Sequence, residues 1–302
     1  MLQGLIIRSQ SGFFTVQTED GLFICQLRGR LKKGRREGDV AAVGDWVEIT
    51  PIAHKKGVIE HIEPRRHLFS RLAPNPRGDY QQILIANPDQ VIFVFACAQP
   101  APRLGMLDRF LVIAEKQGIP VLIIANKVDL VSPQEAEANF GRYLALGYPV
   151  IYTSTKDGFG IAEVEEMLDD KISLFTGPSG VGKSSLLNAI QPGLGLEVRK
   201  VSQATRKGRH TTVVRELFAL ENGGYVADTP GLKALAFWDI EPEELDGYFP
   251  ELRDLVHLCQ FNNCTHRFEP GCEVVAAVAD GRVHPERYKS YLRMRFGEDR
   301  VE

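Results

Sequence analysis

The chain has 302 residues, 44% of them hydrophobic and 25% charged, with a formal net charge of −3; that balance is ordinary for a globular protein of two or three domains. No uninterrupted apolar run approaches the ~20 residues that span a bilayer, and no charged-then-apolar leader opens the chain, so a cytoplasmic protein with no membrane partner is expected. Charge is uneven: residues 1–72 carry +4, residues 73–238 carry −1 and residues 239–302 carry −6, and the same three segments are read as three domains.

Between residues 2 and 72, short apolar runs alternate with turn residues, and Glu19-Asp20-Gly21 marks a hairpin. Five such runs predict a small OB-like β-barrel. Arg28, Arg30, Lys32, Lys33, Arg35 and Arg36 cluster around Gly29 and Gly34. A run of this kind suits either a solvated loop or a polyanion partner such as RNA. Small barrels also serve protein partners, so the fold alone does not choose.

Residues 71–80, with Pro74, Asn75, Pro76 and Gly78, read as a linker or loop. Beyond them the texture becomes α/β. Residues 89–96 form a near-continuous apolar run that suits a strand covered on both faces. Leu107, Phe110, Leu111 and Ala114 recur at helical spacing, with Gly118 as C-cap. The next apolar strand, 121–125, ends at Asn126-Lys127-Val128-Asp129. A carboxylate at Asp129 accepts two hydrogen bonds from the N1 and exocyclic amine of guanine, a pattern adenine does not offer. Asn126 meets the base edge or braces the neighbouring loop, and the Lys127 stem lies over the base plane. This selects GTP over ATP. Another strand at 150–153 runs into a polar turn where Ser154 can meet the guanine O6, and Ile161, Val164 and Leu168 mark one face of the following helix.

Residues 177–184, G-P-S-G-V-G-K-S, fill every position of the phosphate-binding pattern G-x-x-x-x-G-K-[ST], after the apolar run 172–176 and before a helix at 185–190. Gly177, Gly180 and Gly182 give the backbone freedom to approach a phosphate, with Pro178, Ser179 and Val181 completing the wrap. Lys183 is placed against the β- and γ-phosphates, Ser184 on Mg²⁺, and Ser185 opens a helix whose positive end faces the anion. Residues 191–209 are poor in apolar positions and lead into G-R-H-T-T at 208–212. A loop that long inside a compact domain is usually functional or disordered, and Thr212, in preference to Thr211, is placed to close onto Mg²⁺ and the γ-phosphate. Strands at 213–220 and 224–227 follow, the second ending at D-T-P-G, 228–231. Asp228 fits the carboxylate that holds Mg²⁺ through water, and Gly231 supplies an N–H to the γ-phosphate. The next residue, where many GTPases place a water-orienting Gln, is Leu232. Intrinsic hydrolysis should therefore be slow, or another group must act. His210 is the nearest catalytic candidate, alongside Lys183 and Thr212; a structural or partner-contacting histidine is the other reading.

Motif order carries further information. The guanine motif precedes the phosphate loop, and the switch residues come last. This is a circular permutation, which domains tolerate when their natural ends lie close together. The C-terminal segment holds Cys259, Cys264, His266 and Cys272 within 14 residues, the donor set of a closed, structural Zn²⁺ site. The remaining cysteines, Cys25 and Cys97, sit in strand-like contexts and read as buried thiols. Flanking helices are predicted at 243–258 and 285–296, the latter offering Arg287, Lys289, Arg293 and Arg295 as an RNA face.

A barrel, a permuted GTPase and a Cys3His knuckle, with G-P-S-G-V-G-K-S, N-K-V-D, D-T-P-G and G-R-H-T-T, together resemble the ribosome small-subunit-dependent GTPase A family over essentially the whole chain. The resemblance implies a bacterial assembly factor that binds the small ribosomal subunit and its rRNA late in maturation. It further implies weak GTP hydrolysis stimulated by that subunit, with GTP or GDP, Mg²⁺ and one structural Zn²⁺ as ligands of a monomer. A GTP-gated protein-interaction switch that does not act on ribosomes is the alternative.

Overall fold

The computed structural model describes residues 1–32, 39–73, 80–194, 215–228 and 240–297. Strands β1 (Leu2–Gln10), β2 (Phe13–Thr18), β3 (Gly21–Leu27), β4 (Trp46–Ala53) and β5 (Lys56–Ile62) pair in the order β1-β2-β3-β5-β4, and β4 closes back onto β1. All neighbours are antiparallel except β3 and β5, which run parallel. This is the OB-like barrel that the spacing predicts. Alternation along the strands sends Ile6, Phe14, Val16, Cys25, Val47, Ile49 and Ile59 to the interior. Asp45, fully buried, is held by a bidentate pair with Arg65 and by the N–H of Ala42. Of the basic run, Arg28 and Arg30 pair with Glu60 at 3.2 and 3.6 Å, whereas Lys33, Arg35 and Arg36 lie outside the described residues.

A hairpin of β6 (Leu68–Ala73) and β7 (Tyr80–Ala86) follows. The stretch 71–80, read as a linker or loop, is thus strand at both flanks, and its residues 74–79 lie outside the described residues. The chain then builds an α/β layer from β8 (Gln90–Ala96), α1 (Leu104–Gln117), β9 (Val121–Asn126), α2 (Pro133–Ala145), β10 (Val150–Thr153), α3 (Ile161–Met167), β11 (Ile172–Thr176) and α4 (Lys183–Ile190); after β12 (Arg215–Glu216), which pairs with the barrel, β13 (Phe218–Ala219) and β14 (Tyr225–Asp228) complete it. Its sheet runs β10-β9-β8-β11-β14-β13, parallel except for β13. Every residue of β8 and β11 is buried, as the continuous apolar runs require of strands covered on both faces. Helix α1 ends at Gly118 in the left-handed conformation, and α2 begins at Ser132, whose side chain accepts from the Glu135 N–H.

The expected single strand at 213–220 is divided. Arg215 and Glu216 pair with Ser9 and Arg8 of the barrel, while Phe218 and Ala219 pair with Val226 and Tyr225 of the α/β sheet. Between them buried Leu217 donates its N–H to the Ile7 carbonyl at 2.7 Å. One short segment is therefore shared by two sheets.

The helix expected over 243–258 is not continuous. A 3-10 segment at Pro242–Tyr248, a short helix α5 (Pro250–Arg253) and a second 3-10 segment at Val256–Leu258 replace it. Pro250 is the reason: it supplies no N–H and forces Phe249 out of the helical region, to φ −103°, ψ 106°. Helices α6 (Glu273–Ala279) and α7 (Pro285–Phe296) complete the chain, and α7 keeps its expected bounds. The RNA face drawn on α7 needs correction. Arg287 is 1% exposed, bonded to Asp108 of α1 at 2.7 Å and to Glu251 of α5 at 2.6 Å, and Arg295 turns inward onto Tyr291 and Asp246. Only Lys289 and Arg293 remain exposed. The C-terminal unit docks on α1 through Leu245, Phe249, Leu252 and Val112, with Lys116–Glu244 and Arg253–Glu115 pairs at the edge.

Candidate nucleotide site and metal centre

Parallel strands present their carboxyl ends on one side of a sheet, and that is where ligands of open α/β sheets bind. β9 ends at Asn126, β10 at Thr153 and β11 at Thr176, each followed by one of the motif loops, and β14 ends at Asp228. β8 separates the guanine-motif strand β9 from the phosphate-loop strand β11, and contacts between the loops at their ends bring the two motifs together.

The phosphate loop turns on three left-handed glycines, Gly177 (φ +149°), Gly180 (φ +83°) and Gly182 (φ +98°). A Cβ at Gly177 would stand 2.1 Å from the Val94 carbonyl oxygen, and one at Gly182 would stand 2.5 Å from Asn126 Nδ2. Both approaches admit only glycine. Lys183 is buried, its ammonium donating to the carbonyls of Gly177 and Pro178 at 2.8 and 3.0 Å. The charge is held across the mouth of the loop. Pro178, Ser179 and the buried Val181 line an adjoining 410 Å³ cleft that reaches Arg103, the residue before α1, and Met106 of α1. Ser184 and Ser185 stand half-buried in the first turn of α4.

The guanine motif is wired into that loop. Asn126, fully buried, donates to the Val181 carbonyl at 2.8 Å and accepts from the Thr153 hydroxyl at 3.0 Å. Of the two roles open to Asn126 in the sequence, the structure shows the brace. Lys127 takes a left-handed backbone (φ 64°) and donates to the carbonyls of Gly180, at 2.6 Å, and Gln99. Burial lowers its pKa against the opposing pull of Asp129. Asp129 accepts from the Ser154 hydroxyl at 3.0 Å, with Lys156 3.9 Å from its other oxygen. Ser154 therefore orients the Asp129 carboxylate. Thr153 and the Gln99 carbonyl escaped the sequence reading; Thr153 lies next to Ser154 at the strand end, but no spacing signal points to Gln99. His210, Thr211, Thr212, Gly231 and Leu232 lie outside the described residues, as does the side chain of Asp228.

On the far side of α1, the ligand atoms of Cys259, Cys264, His266 and Cys272 all lie within 4.8 Å of one another. His266 Nδ1 is 3.5 Å from Cys259 Sγ and 3.4 Å from Cys272 Sγ, and those two sulfurs are 3.9 Å apart. A tetrahedron with Zn–S bonds of ~2.3 Å has S···S edges of about 3.8 Å, so the donors fit a zinc ion. His266 turns its other nitrogen onto Asp246 Oδ2 at 3.1 Å, which fixes the ring so that Nδ1 faces the sulfurs. Asp246, 20 residues upstream, carried no spacing signal. Burial pushes the Cys264 thiol up to about 12, so capture of a cation and loss of the thiol proton are one event. Cys25 and Cys97 are buried, and burial pushes each thiol up to about 11.

Sheet order, phosphate loop and guanine loop define a P-loop GTPase whose motifs are met in permuted order. The chain belongs to the RsgA GTPase family, whose family model matches residues 62–238, and residues 3–59 match the RsgA N-terminal domain. It is 45% identical, over 97% of its length and 96% of theirs, to the small ribosomal subunit biogenesis GTPase RsgA of Gemmatimonas aurantiaca, and 44% identical, over 96% and 95%, to that of Moorella thermoacetica. Among solved structures, YjeQ from Thermotoga maritima superposes with a TM-score of 0.78 at 36% identity, covering 100% of this chain and 99% of that one. YloQ, described as a circularly permuted GTPase, gives 0.76 at 35%, covering 100% and 97%.

Proposed function

We propose that the protein hydrolyses GTP as an assembly factor in late maturation of the small (30S) ribosomal subunit, slowly alone and faster on the subunit. The observation that carries this reading is the joining of a guanine-selective carboxylate, Asp129, to a phosphate loop through Asn126–Val181 and Lys127–Gly180 contacts, in a chain whose relatives are named for small-subunit biogenesis. In this reading Asn126, Lys127, Asp129 and Ser154 form the base pocket, and Gly177 to Ser185 wrap the phosphates. Lys183 neutralises charge developing on the γ-phosphoryl group. Mg²⁺ is held by Ser184, Thr212 and Asp228, with Gly231 donating to the γ-phosphate. Leu232 orients no water, so His210 or a group of the subunit completes the site. The chain divides at 1–72, 73–238 and 239–302 into a barrel that contacts rRNA, the GTPase and the zinc unit. It works in the cytoplasm as a monomer.

Co-sedimentation tests the partner. With a non-hydrolysable GTP analogue at fixed salt, the protein should travel with purified small subunits and not with large ones. Equal recovery with both, or with neither, contradicts the proposal.

A further inference from the structure

Among the described residues, the most exposed Phe or Trp side chain is Phe268, 83% accessible, in the two-residue span between the metal ligand His266 and Glu269. An exposed aromatic ring on a slack loop has little meaning, but this loop is fixed at both ends. His266 takes a left-handed backbone (φ 59°) inside the Cys3His cluster. Glu269 folds back so that Oε1 accepts from the Thr265 N–H at 2.7 Å and Oε2 from the Arg267 and Phe268 N–H groups at 3.0 and 3.1 Å. The intervening Arg267 places its guanidinium 4.8 Å from the centroids of both Phe268 and Phe296. The result is a preformed aromatic and guanidinium platform.

Its surroundings point to the occupant. Phe296 shares one face of α7 with Lys289 and Arg293, at helical spacings of four and three, and both cations are exposed. Among the described residues, Lys289 pairs only with neighbouring Glu286 and Arg293 makes no ion pair. Among the acidic residues of this region, Asp246 pairs with His266 and Arg295, Glu251 with Arg287, and Glu269 is turned onto backbone N–H groups of its own loop. Cations spaced along a helix, ending at a rigid π-surface, match a single nucleic-acid strand, phosphates on the former and a base on the latter. A peptide partner would be better served by an apolar groove. We propose that Arg267, Phe268 and Phe296 form a stacking site for an unpaired base of RNA, with Arg293 and Lys289 on the adjoining phosphates. This deepens the reading of a small-subunit partner and rests on it for the source of the RNA.

The test uses the full-length, zinc-loaded protein and two 10-nucleotide probes, single-stranded oligoadenylate and a chain of the same length with abasic positions. Phe268→Ala should weaken oligoadenylate binding about fivefold or more, the scale of one lost base stack, and leave the abasic chain unaffected. Phe268→Trp should retain the affinity, and oligoadenylate should quench its fluorescence beyond any change in the native protein. Zinc content of each variant reports the fold. Wild-type affinity of Phe268→Ala for oligoadenylate overturns the platform, as does equal weakening for both probes. Weaker binding to small subunits with unchanged oligoadenylate binding also overturns it, in favour of a protein contact. If the Phe268 effect holds while small subunits neither bind nor stimulate the protein, the platform stands and the ribosomal reading falls.

Discussion

Asn126 shows how single side chains set the site. Its amide ties the end of β9 to the phosphate loop at Val181 and to Thr153 of β10, so one residue registers three loops against each other. Asn126→Ala leaves a buried carbonyl and a buried hydroxyl without partners, a cost of about 1–3 kcal/mol. We expect a lowered thermal midpoint together with weakened binding of a fluorescent GDP analogue; an unchanged affinity would contradict the brace. Asp129 makes a sharper chemical prediction. An amide at this position offers a donor where guanine needs an acceptor, and xanthine carries an oxygen where guanine carries the amine. Asp129→Asn should therefore bind GTP at least about tenfold more weakly, the size of losing a charge-assisted bond, and bind xanthosine triphosphate better than the native protein does. Competition titration reads both, and unaltered preference for GTP would remove Asp129 from the base pocket.

At the level of elements, the buried cation joining α1, α5 and α7 is the feature hardest to see in the sequence. In the sequence Arg287 looks like a surface residue of a polar helix. The available signal was on the other partner: Asp108 sits beside Leu107 among the buried residues of α1, and a buried carboxylate requires a compensating donor. Tyr143 and Ser290 also donate to it. Arg287→Ala would leave two carboxylates facing each other without their cation, at a cost of about 3–5 kcal/mol. Zinc should then pass to a chromogenic chelator at markedly lower urea than in the native protein; release at the same urea concentration would show that the ion triad does not hold the zinc unit in place. Other features were legible because each has a local cause. Gly118 ends α1, the buried runs of β8 and β11 lack the alternation of one-sided strands, and the Cys/His spacing suffices for the metal centre. The divided strand at β12 and β13 was not, since alternation reports which face is buried and not which sheet supplies the partner. Pro250, by contrast, was a visible helix breaker that the periodic reading of 243–258 passed over.

Across the whole molecule, permutation places the chain's two connections where they can carry information. The strand segment after residue 214 is bonded first to the barrel and then to the GTPase sheet, while β14 ends at Asp228, 12 residues before the C-terminal unit resumes at Ile240. The barrel meets the β13 edge of the α/β sheet through residues 215–219, and the zinc unit is clamped to α1. A partner that grips both is placed to sense the nucleotide between them. In the proposed function, with Leu232 at the position of the usual water-orienting residue, that partner supplies the missing catalytic step. The direct measurement is GTP hydrolysis by the purified protein alone, with small subunits and with large subunits, at one fixed salt concentration. The account predicts slow turnover alone and a stimulation of tenfold or more, an order-of-magnitude expectation for completing a deficient site, from small subunits only. Equal rates in all three mixtures, or stimulation by large subunits, would contradict it.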